Sequence, residues 1–282
     1  MRYAYDRCGM HMTNVWMGAL MAVRLVASDM DGTFLDAESK VPEGSYDLVR
    51  RLDASGMRFV ASSGRRLDTL RTFFGPVADH MDFVAASGAE VMVAGELVDR
   101  EVFSRVALRR LVRVVDRFEC LSLALFDGRS SYLFDDAGRF SPELDKDLPN
   151  PVRARELPGV DAGIVKASIC CDGDVMDMAY VLTRELSGDF VFAPSGECWI
   201  DVMQRGVSKA TGLEQVMEAY GVDASEVMAF GDSMNDLEML RLAGHPIAMA
   251  NARDAVKELA ARTIGSNAEH AVQRELESLL AE

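Results

Sequence analysis

The amino-acid sequence predicts an α/β protein: a Rossmann-like doubly wound parallel sheet carrying an inserted α+β domain. Three features lead there. The runs "RLVAS", "MRFVASS" and "EVMAF" are continuously apolar, the pattern of strands covered on both faces. Helical segments alternate with the first strands, the order from which parallel sheets are built. From about Phe103 that alternation stops, and short strands, helices and a proline-bearing loop form a block of their own.

A length of 282 residues, 49% of them hydrophobic, suffices for two domains with a sizeable core. The expected boundaries are residues 22–102 and 195–282 for the sheet domain and 103–194 for the insert. Residues 1–21 are expected to be a disordered tail or a start-site extension. The apolar part, Val15 to Val23, has the length of a signal peptide's apolar region. It runs straight into the first strand, however, and leaves no room for cleavage.

After the first strand, "VPEGSYDLVRRLDASG" is expected to be helical, with Pro42 in its first turn, Leu48 and Leu52 on its apolar face and Gly56 as its stop. "LDTLRTFFG" follows the second strand as a helix. "DFVAASGAEVMVAGELVDREV" reads as a strand and a glycine-turned hairpin. In the insert, the helix "SRVALRRLVRVVDRF" precedes the strands "LSLALFDG" and "SSYLFD" and the loop "SPELDKDLPNPVRARELPG". The strand "GIVKASICCD", the helix "DVMDMAYVLTRELSG" and "FVFAPSGECWIDVM" complete it. Alternation sends Cys170 and Cys171 to opposite faces of their strand, each as core packing. Parallel order resumes with the helix "SKATGLEQVMEAYG", closed by Gly221, and the strands "EVMAF" and "HPIAMANA".

Charge and cysteine content narrow the function. A net charge of −15 argues against binding nucleic acid by counterion release and against anionic membrane surfaces. No apolar run reaches the roughly eighteen residues of a membrane span. The five cysteines lack paired spacing, which points to reduced thiols and a cytoplasmic location rather than to zinc or disulfides. An acidic chain still binds an anion where a metal and a few cations make the site locally positive.

In a doubly wound sheet, ligands bind at the carboxyl ends of the strands. Asp29 and Asp31 follow the first strand, Ser62-Ser63-Gly64-Arg65 the second and Ser87-Gly88 the third. Asp232, Asn235 and Asp236 follow "EVMAF", and Lys209 begins the helix before it. Alternation along a strand would place Asp29 and Asp31 on one side, where they repel unless a cation lies between them. Mg2+, held by a few carboxylates, water and substrate phosphate, suits such a cluster. Asp29 then stays ionised as a nucleophile, and Asp31 takes the raised pKa of an acid/base partner.

Plainer roles exist for the same residues. Asp232 and Asp236 suit helix N-terminal caps, and Asp236 can both cap and serve the site. Lys209 alone would be a solvated lysine. Arg65 could bind phosphate or pair with an acid. None of the four histidines lies in these loops, so histidine catalysis is not expected. Phe73, Phe74, Phe190 and Phe192 read as core. Trp199 lines the site or packs a hinge formed with Pro194 and Gly196.

The segments "DMDGT", "SSGR", "GVSK" and "GDSMND", in that order, resemble the four motifs of the haloacid dehalogenase superfamily. The arrangement is most similar to its Cof-type sugar-phosphate phosphatase branch, and "IAMANA" and "TIGSNAEHAV" resemble that branch's closing segments. The similarity runs from about Ala22 to the C-terminus. The resemblance implies that Asp29 becomes an aspartyl-phosphate and that Asp31 is the general acid/base, its backbone carbonyl facing the metal. It implies Ser63, Gly64, Asn235 and Lys209 as phosphate contacts, with Lys209 also neutralising the nucleophile. Asp232 would be a side-chain metal ligand, and Asp236 would orient metal waters or Lys209. The metal-site set is thus Asp29, Asp31, Asp232 and Asp236, with Mg2+ as cofactor. Ser63 stands where the family commonly has Thr, and Ser87-Gly88 where it has Asn-Gly. The implied protein is a Mg2+-dependent phosphatase of a small phosphorylated metabolite, a monomer or weak homodimer, whose insert caps the site and selects substrates. A phosphomutase using the same acid pair and a non-catalytic phosphate-sensing module are the alternatives.

Overall fold

The computed structural model describes residues 23–134, 152–159, 161–186, 188–195 and 198–281. The expectations for residues 1–21, for most of the proline-bearing loop and for Gly196 lie outside the described residues. In chain order the first elements are β1 (Leu25–Ser28), α1 (Ser45–Ala54), β2 (Arg58–Ser62), α2 (Leu67–Phe73), β3 (Met81–Ala85), β4 (Glu90–Val93), β5 (Glu96–Arg100) and α3 (Arg105–Val115). There follow β6 (Leu121–Phe126), β7 (Ser131–Phe134), β8 (Val152–Arg153), β9 (Lys166–Cys171), α4 (Val175–Leu186), β10 (Phe190–Ser195) and β11 (Trp199–Gln204). The last are α5 (Lys209–Tyr220), β12 (Val227–Gly231), α6 (Leu237–Leu242), β13 (His245–Ala248), α7 (Asp254–Leu259), β14 (Arg262–Thr263) and α8 (Ala271–Ala281). The described residues divide into two compact units, one from 23–60, 79–81 and 217–281, the other from those within 61–78 and 82–216.

In the first unit, β1 runs parallel to β12, β12 to β13 and β13 to β14. The Arg58 N–H donates to the Arg24 carbonyl at 2.9 Å, seating the start of β2. Every residue of β1 and β12 is buried, as their unbroken apolar runs require. Phe34 packs on Phe59 with ring centroids 4.9 Å apart. Burying each such side chain contributes about 1.5–3 kcal/mol. Leu48 and Leu52 form the inner face of α1, and Gly56, at φ +87°, stops it. Pro42 does not enter its first turn: Gly44 reverses the chain at φ +82°, and the helix starts at Ser45.

In the second unit, the Ser63 N–H donates to the Val84 carbonyl at 2.8 Å, running the end of β2 beside β3. β3 then pairs antiparallel with β4, and β4 with β5. Ala94 and Gly95, at φ +50° and +84°, make the tight turn between them. A six-stranded sheet has the order β10-β11-β9-β6-β7-β8, antiparallel except for the β7–β8 pair. Its two faces differ. Ala167, Ile169 and Cys171 of β9 join Leu111 of α3 and Leu182 of α4 in an apolar core. Cys170 points the other way and packs with Ala124, Phe126, Leu133 and Trp199. The adjacent cysteines therefore serve opposite faces, and burial pushes the Cys171 thiol up to about 11, the state of a packing group rather than a nucleophile.

Phe74, Phe190 and Phe192 are buried as expected. The sheet extends beyond the expected end of the insert at residue 194, because β11 pairs with both β10 and β9. Pro194 lies inside β10 opposite Ile200 instead of forming a hinge. β10 is an edge strand, where the missing proline N–H is tolerated. Among the described residues, no helix is long and apolar enough to cross a membrane.

Candidate active site

The first unit builds an acidic cluster at the ends of two neighbouring parallel strands. Ser28 pairs with Phe230, and the Asp29 N–H donates to the Phe230 carbonyl at 3.0 Å, so the chains leaving β1 and β12 start side by side. Asp29 is 6% exposed and Asp236 fully buried, with Asp232 between those extremes and the surface. One carboxylate oxygen from each of Asp29, Asp232 and Asp236 lies within 4.8 Å of the others. Two such charges at 4.8 Å repel by about 3 kcal/mol at the effective dielectric of a partly buried site.

Local hydrogen bonds hold the cluster without discharging it. Asp236 Oδ2 accepts the N–H groups of Asp232 and Ser233 at 3.0 and 2.9 Å, closing a capping box in which Ser233, not Asp232, is the N-cap; Asp236 makes no side-chain cap bond to α6. Thr33 Oγ1 donates to Asp232 Oδ1 at 2.9 Å. Gly32, at φ +77°, lets the chain pass close by: a Cβ there would stand 2.6 Å from Asp232 Oδ2. The Asn251 side chain secures the same turn, Nδ2 donating to the Gly32 carbonyl at 2.7 Å. Thr33 and Asn251 support the cluster through these bonds and were not singled out by motif reading, although both stand inside quoted segments.

Asp31 is placed differently from the strand expectation. β1 ends at Ser28, and Asp31 belongs to the turn that follows, in which the Phe34 N–H donates to the Asp29 carbonyl at 3.2 Å. Its carboxyl is exposed, accepts from Ser39 Oγ at 3.3 Å and stands outside the three-carboxylate group. Asn235 lies in the turn Met234–Asp236, and its buried side-chain oxygen has no hydrogen-bond partner among the described residues. A buried polar atom left in that state costs about 1–3 kcal/mol.

The second unit holds the other predicted positions. Ser63 is 1% exposed, and its Oγ accepts the Arg65 N–H at 3.1 Å. The Ser63 carbonyl accepts the Ser87 N–H at 2.9 Å, which ties the loops after β2 and β3 together. Ala86, Ser87 and Gly88 all have positive φ, at +47°, +57° and +104°. A Cβ at Gly88 would stand 2.0 Å from the Ser208 carbonyl oxygen. Only glycine allows that loop to press against the residue before Lys209. Lys209 itself opens α5 and is 1% exposed, so it is not the solvated lysine of the plainer reading. The Arg65 guanidinium lies over the Phe73 ring, 4.9 Å from its centroid.

Comparisons with known proteins place these features in context. The family model of the haloacid dehalogenase-like hydrolases matches residues 26–276. The Bacillus subtilis (strain 168) 5-amino-6-(5-phospho-D-ribitylamino)uracil phosphatase YitU is 46% identical over 262 residues, covering 89% of this chain and 95% of that one. The Escherichia coli (strain K12) phosphatase of the same description, YbjI, is 32% identical over 252 residues, covering 88% and 92%. Among solved structures, a Streptococcus mutans UA159 protein superposes with a TM-score of 0.83 at 26% identity, covering 92% of this chain and 100% of its own.

Proposed function

The chain belongs to the haloacid dehalogenase-like hydrolases, and from that premise we propose a Mg2+-dependent phosphatase that hydrolyses a small phosphorylated metabolite through an aspartyl-phosphate on Asp29. The observation that carries this reading is the approach of the Asp29, Asp232 and Asp236 carboxylates within 4.8 Å of one another. Hard oxygen donors, two of them on buried residues, fit Mg2+ rather than a softer metal. Asp29, Asp232 and the Asp31 carbonyl would hold the ion, with Asp236 beside them. When bound, Mg2+ neutralises charge on the phosphoryl oxygens and relieves the repulsion among the carboxylates.

The chain's own residues then perform a two-step displacement. An Asp29 carboxylate oxygen attacks phosphorus while the bond from phosphorus to the leaving oxygen breaks, and Asp31 delivers a proton to that oxygen. Asp31, now ionised, takes a proton from water as the water oxygen attacks the acyl-phosphate. Inorganic phosphate leaves, and the Asp29 carboxylate is restored. The Ser63 hydroxyl, the Gly64 backbone, the Asn235 amide and the Lys209 ammonium orient the phosphoryl oxygens, the positioning that dominates this class of reaction. The free thiols of Cys120, Cys170, Cys171 and Cys198 suit a reducing cytosol. The names of the relatives make 5-amino-6-(5-phospho-D-ribitylamino)uracil the first substrate to assay.

The test is phosphate release from an aryl phosphate and from a metabolite panel containing that compound. Turnover should require Mg2+ and stop with EDTA. Release that persists undiminished in EDTA, or no release from any ester, would refute the reading.

A further inference from the structure

Three polar side chains cluster on the six-stranded sheet, and one of them, Lys166, bonds to the loop after β2. Lys166 of β9 donates from Nζ to the Gly64 carbonyl at 2.7 Å. The same ammonium stands 3.4 Å from Asp201 Oδ1 on β11, and Ser168 Oγ of β9 donates to that oxygen at 3.0 Å. Asp201 and Ser168 are direct cross-strand partners, with Lys166 one step along the same face. This is the face that Cys170, Phe126 and Trp199 share, opposite the helix-covered core. Lys166 and Asp201 are about four-fifths buried, with side-chain exposures of 20% and 18%.

Stability does not account for the trio. A partly exposed ion pair is worth at most about 1 kcal/mol, and an apolar pair would fill a sheet face beside Phe126 and Trp199 at least as well. The arrangement also uses the carboxylate unevenly. Asp201 Oδ1 receives both donors, while Oδ2 takes no hydrogen bond among the described residues. In front of Oδ2 the chain has Gly64. A Cβ on Gly64 would stand 3.6 Å from Asp201 Oδ2 and 3.4 Å from Ser87 Oγ. Two oxygens therefore face the space a side chain would occupy, next to the residue expected to bind phosphate.

We propose that Asp201 is a specificity residue: its Oδ2, with Ser87 Oγ, accepts hydroxyl hydrogens of a polyol or sugar next to the phosphate, and Lys166 is the positioning residue that fixes both Asp201 and the Gly64 loop. The substrate class is a phosphate ester of a polyhydroxylated chain. This rests on the phosphatase reading above. Hydroxyl groups are strong donors to a carboxylate, and a site built to bond them rejects an analogue that lacks them.

The experiment compares ribitol 5-phosphate with pentyl phosphate, an ester of the same chain length without hydroxyls, in the full-length protein. Phosphate release and calorimetric binding are both measured for wild type, Asp201→Ala and Lys166→Met. Wild type should favour ribitol 5-phosphate in kcat/KM by roughly 10- to 100-fold, the value of a hydrogen bond to a charged group. Asp201→Ala should collapse that preference, mainly through KM. Lys166→Met should weaken both esters together and keep their ranking, because it acts through the loop that holds phosphate. If the two variants shift the ranking alike, Asp201 only holds Lys166 and the proposal is wrong. It is equally wrong if wild type does not discriminate. Should no ester be hydrolysed, binding separates the issues: a hydroxyl preference abolished by Asp201→Ala sustains the specificity role while the phosphatase reading falls.

Discussion

The acidic cluster of the first unit and the Lys166–Ser168–Asp201 trio of the second are both small groups of polar side chains positioned by strands, yet they are constructed in opposite ways. Asp29, Asp232 and Asp236 come from two short segments at the ends of adjacent parallel strands, and backbone N–H groups and Thr33 fix them in place. The trio is drawn from two antiparallel strands, Lys166 opening β9 with Ser168 and Asp201 further inside β9 and β11, and closes on Gly64, about a hundred residues away in the chain. The first group can change little without losing its geometry. The second sits on a face where alternate positions can be exchanged while the helix-covered core, on the opposite side, is untouched. Under the proposed roles, chemistry and selectivity are held by different kinds of scaffold.

Substitutions that break the comparison should rank accordingly. Asp29→Asn removes the nucleophile and a metal charge together, and turnover should fall by at least about 10⁴-fold on every substrate with the fold retained. Circular dichroism with phosphate-release kinetics checks this. Retention of a tenth of wild-type activity would refute the covalent role. Asp31→Asn should cost about 10²–10⁴-fold and leave Mg2+ affinity nearly unchanged. Alkyl phosphates, with poor leaving groups, should lose more than aryl phosphates, and equal losses would remove Asp31 from the role of acid.

Leu123→Ala, in the core under the six-stranded sheet, should destabilise the second unit by about 2–5 kcal/mol, read as a lower urea midpoint. A change below about 1 kcal/mol would show that this core is not packed as described.

How far the sequence reaches follows the same division. The positions of Asp29, Ser63 and Asp232 just past strand ends, and of Lys209 at a helix start, were legible because each belongs to a contiguous segment whose local geometry fixes it. The orientation of Asp31 was not, since alternation was assumed to continue past Ser28, where the chain in fact turns. Ser87-Gly88 had no evident purpose in one dimension. Its reason is the approach of the Ser208 backbone, which depends on how α5 packs. The segment "FVFAPSGECWIDVM" reads with the insert, yet the boundary expected at residue 194 cuts β11 off, because its register with β9 is a long-range pairing that no local pattern encodes. Asp201 was hidden for the same reason.

The smallest expected effect lies far from either group. Burial alone would raise the Asp53 pKa, but the hydrogen bonds from His80 and Arg58 outweigh it and leave the carboxyl below its ordinary 3.8. A lowered acid pKa stabilises the fold above that ordinary value, and the contribution is lost as pH falls through the folded-state value. Asp53 is 30% exposed, so solvent screening keeps the effect small. Asp53→Asn should lower Tm by about 1–2 °C at neutral pH, with the difference disappearing in acid once pH has fallen through the folded-state value. A deficit that persists in acid would mean that packing, and not charge, is responsible.

The most direct measurement is mass spectrometry of the tryptic peptide containing Asp29 after mixing enzyme, Mg2+ and a good aryl phosphate and quenching in acid within one turnover. A peptide heavier by one phosphoryl group, with the label on Asp29 and absent from Asp29→Asn and from EDTA-treated enzyme, is the predicted result. An unmodified Asp29 peptide during steady turnover, or a phosphoryl group carried by another residue, would contradict the covalent mechanism.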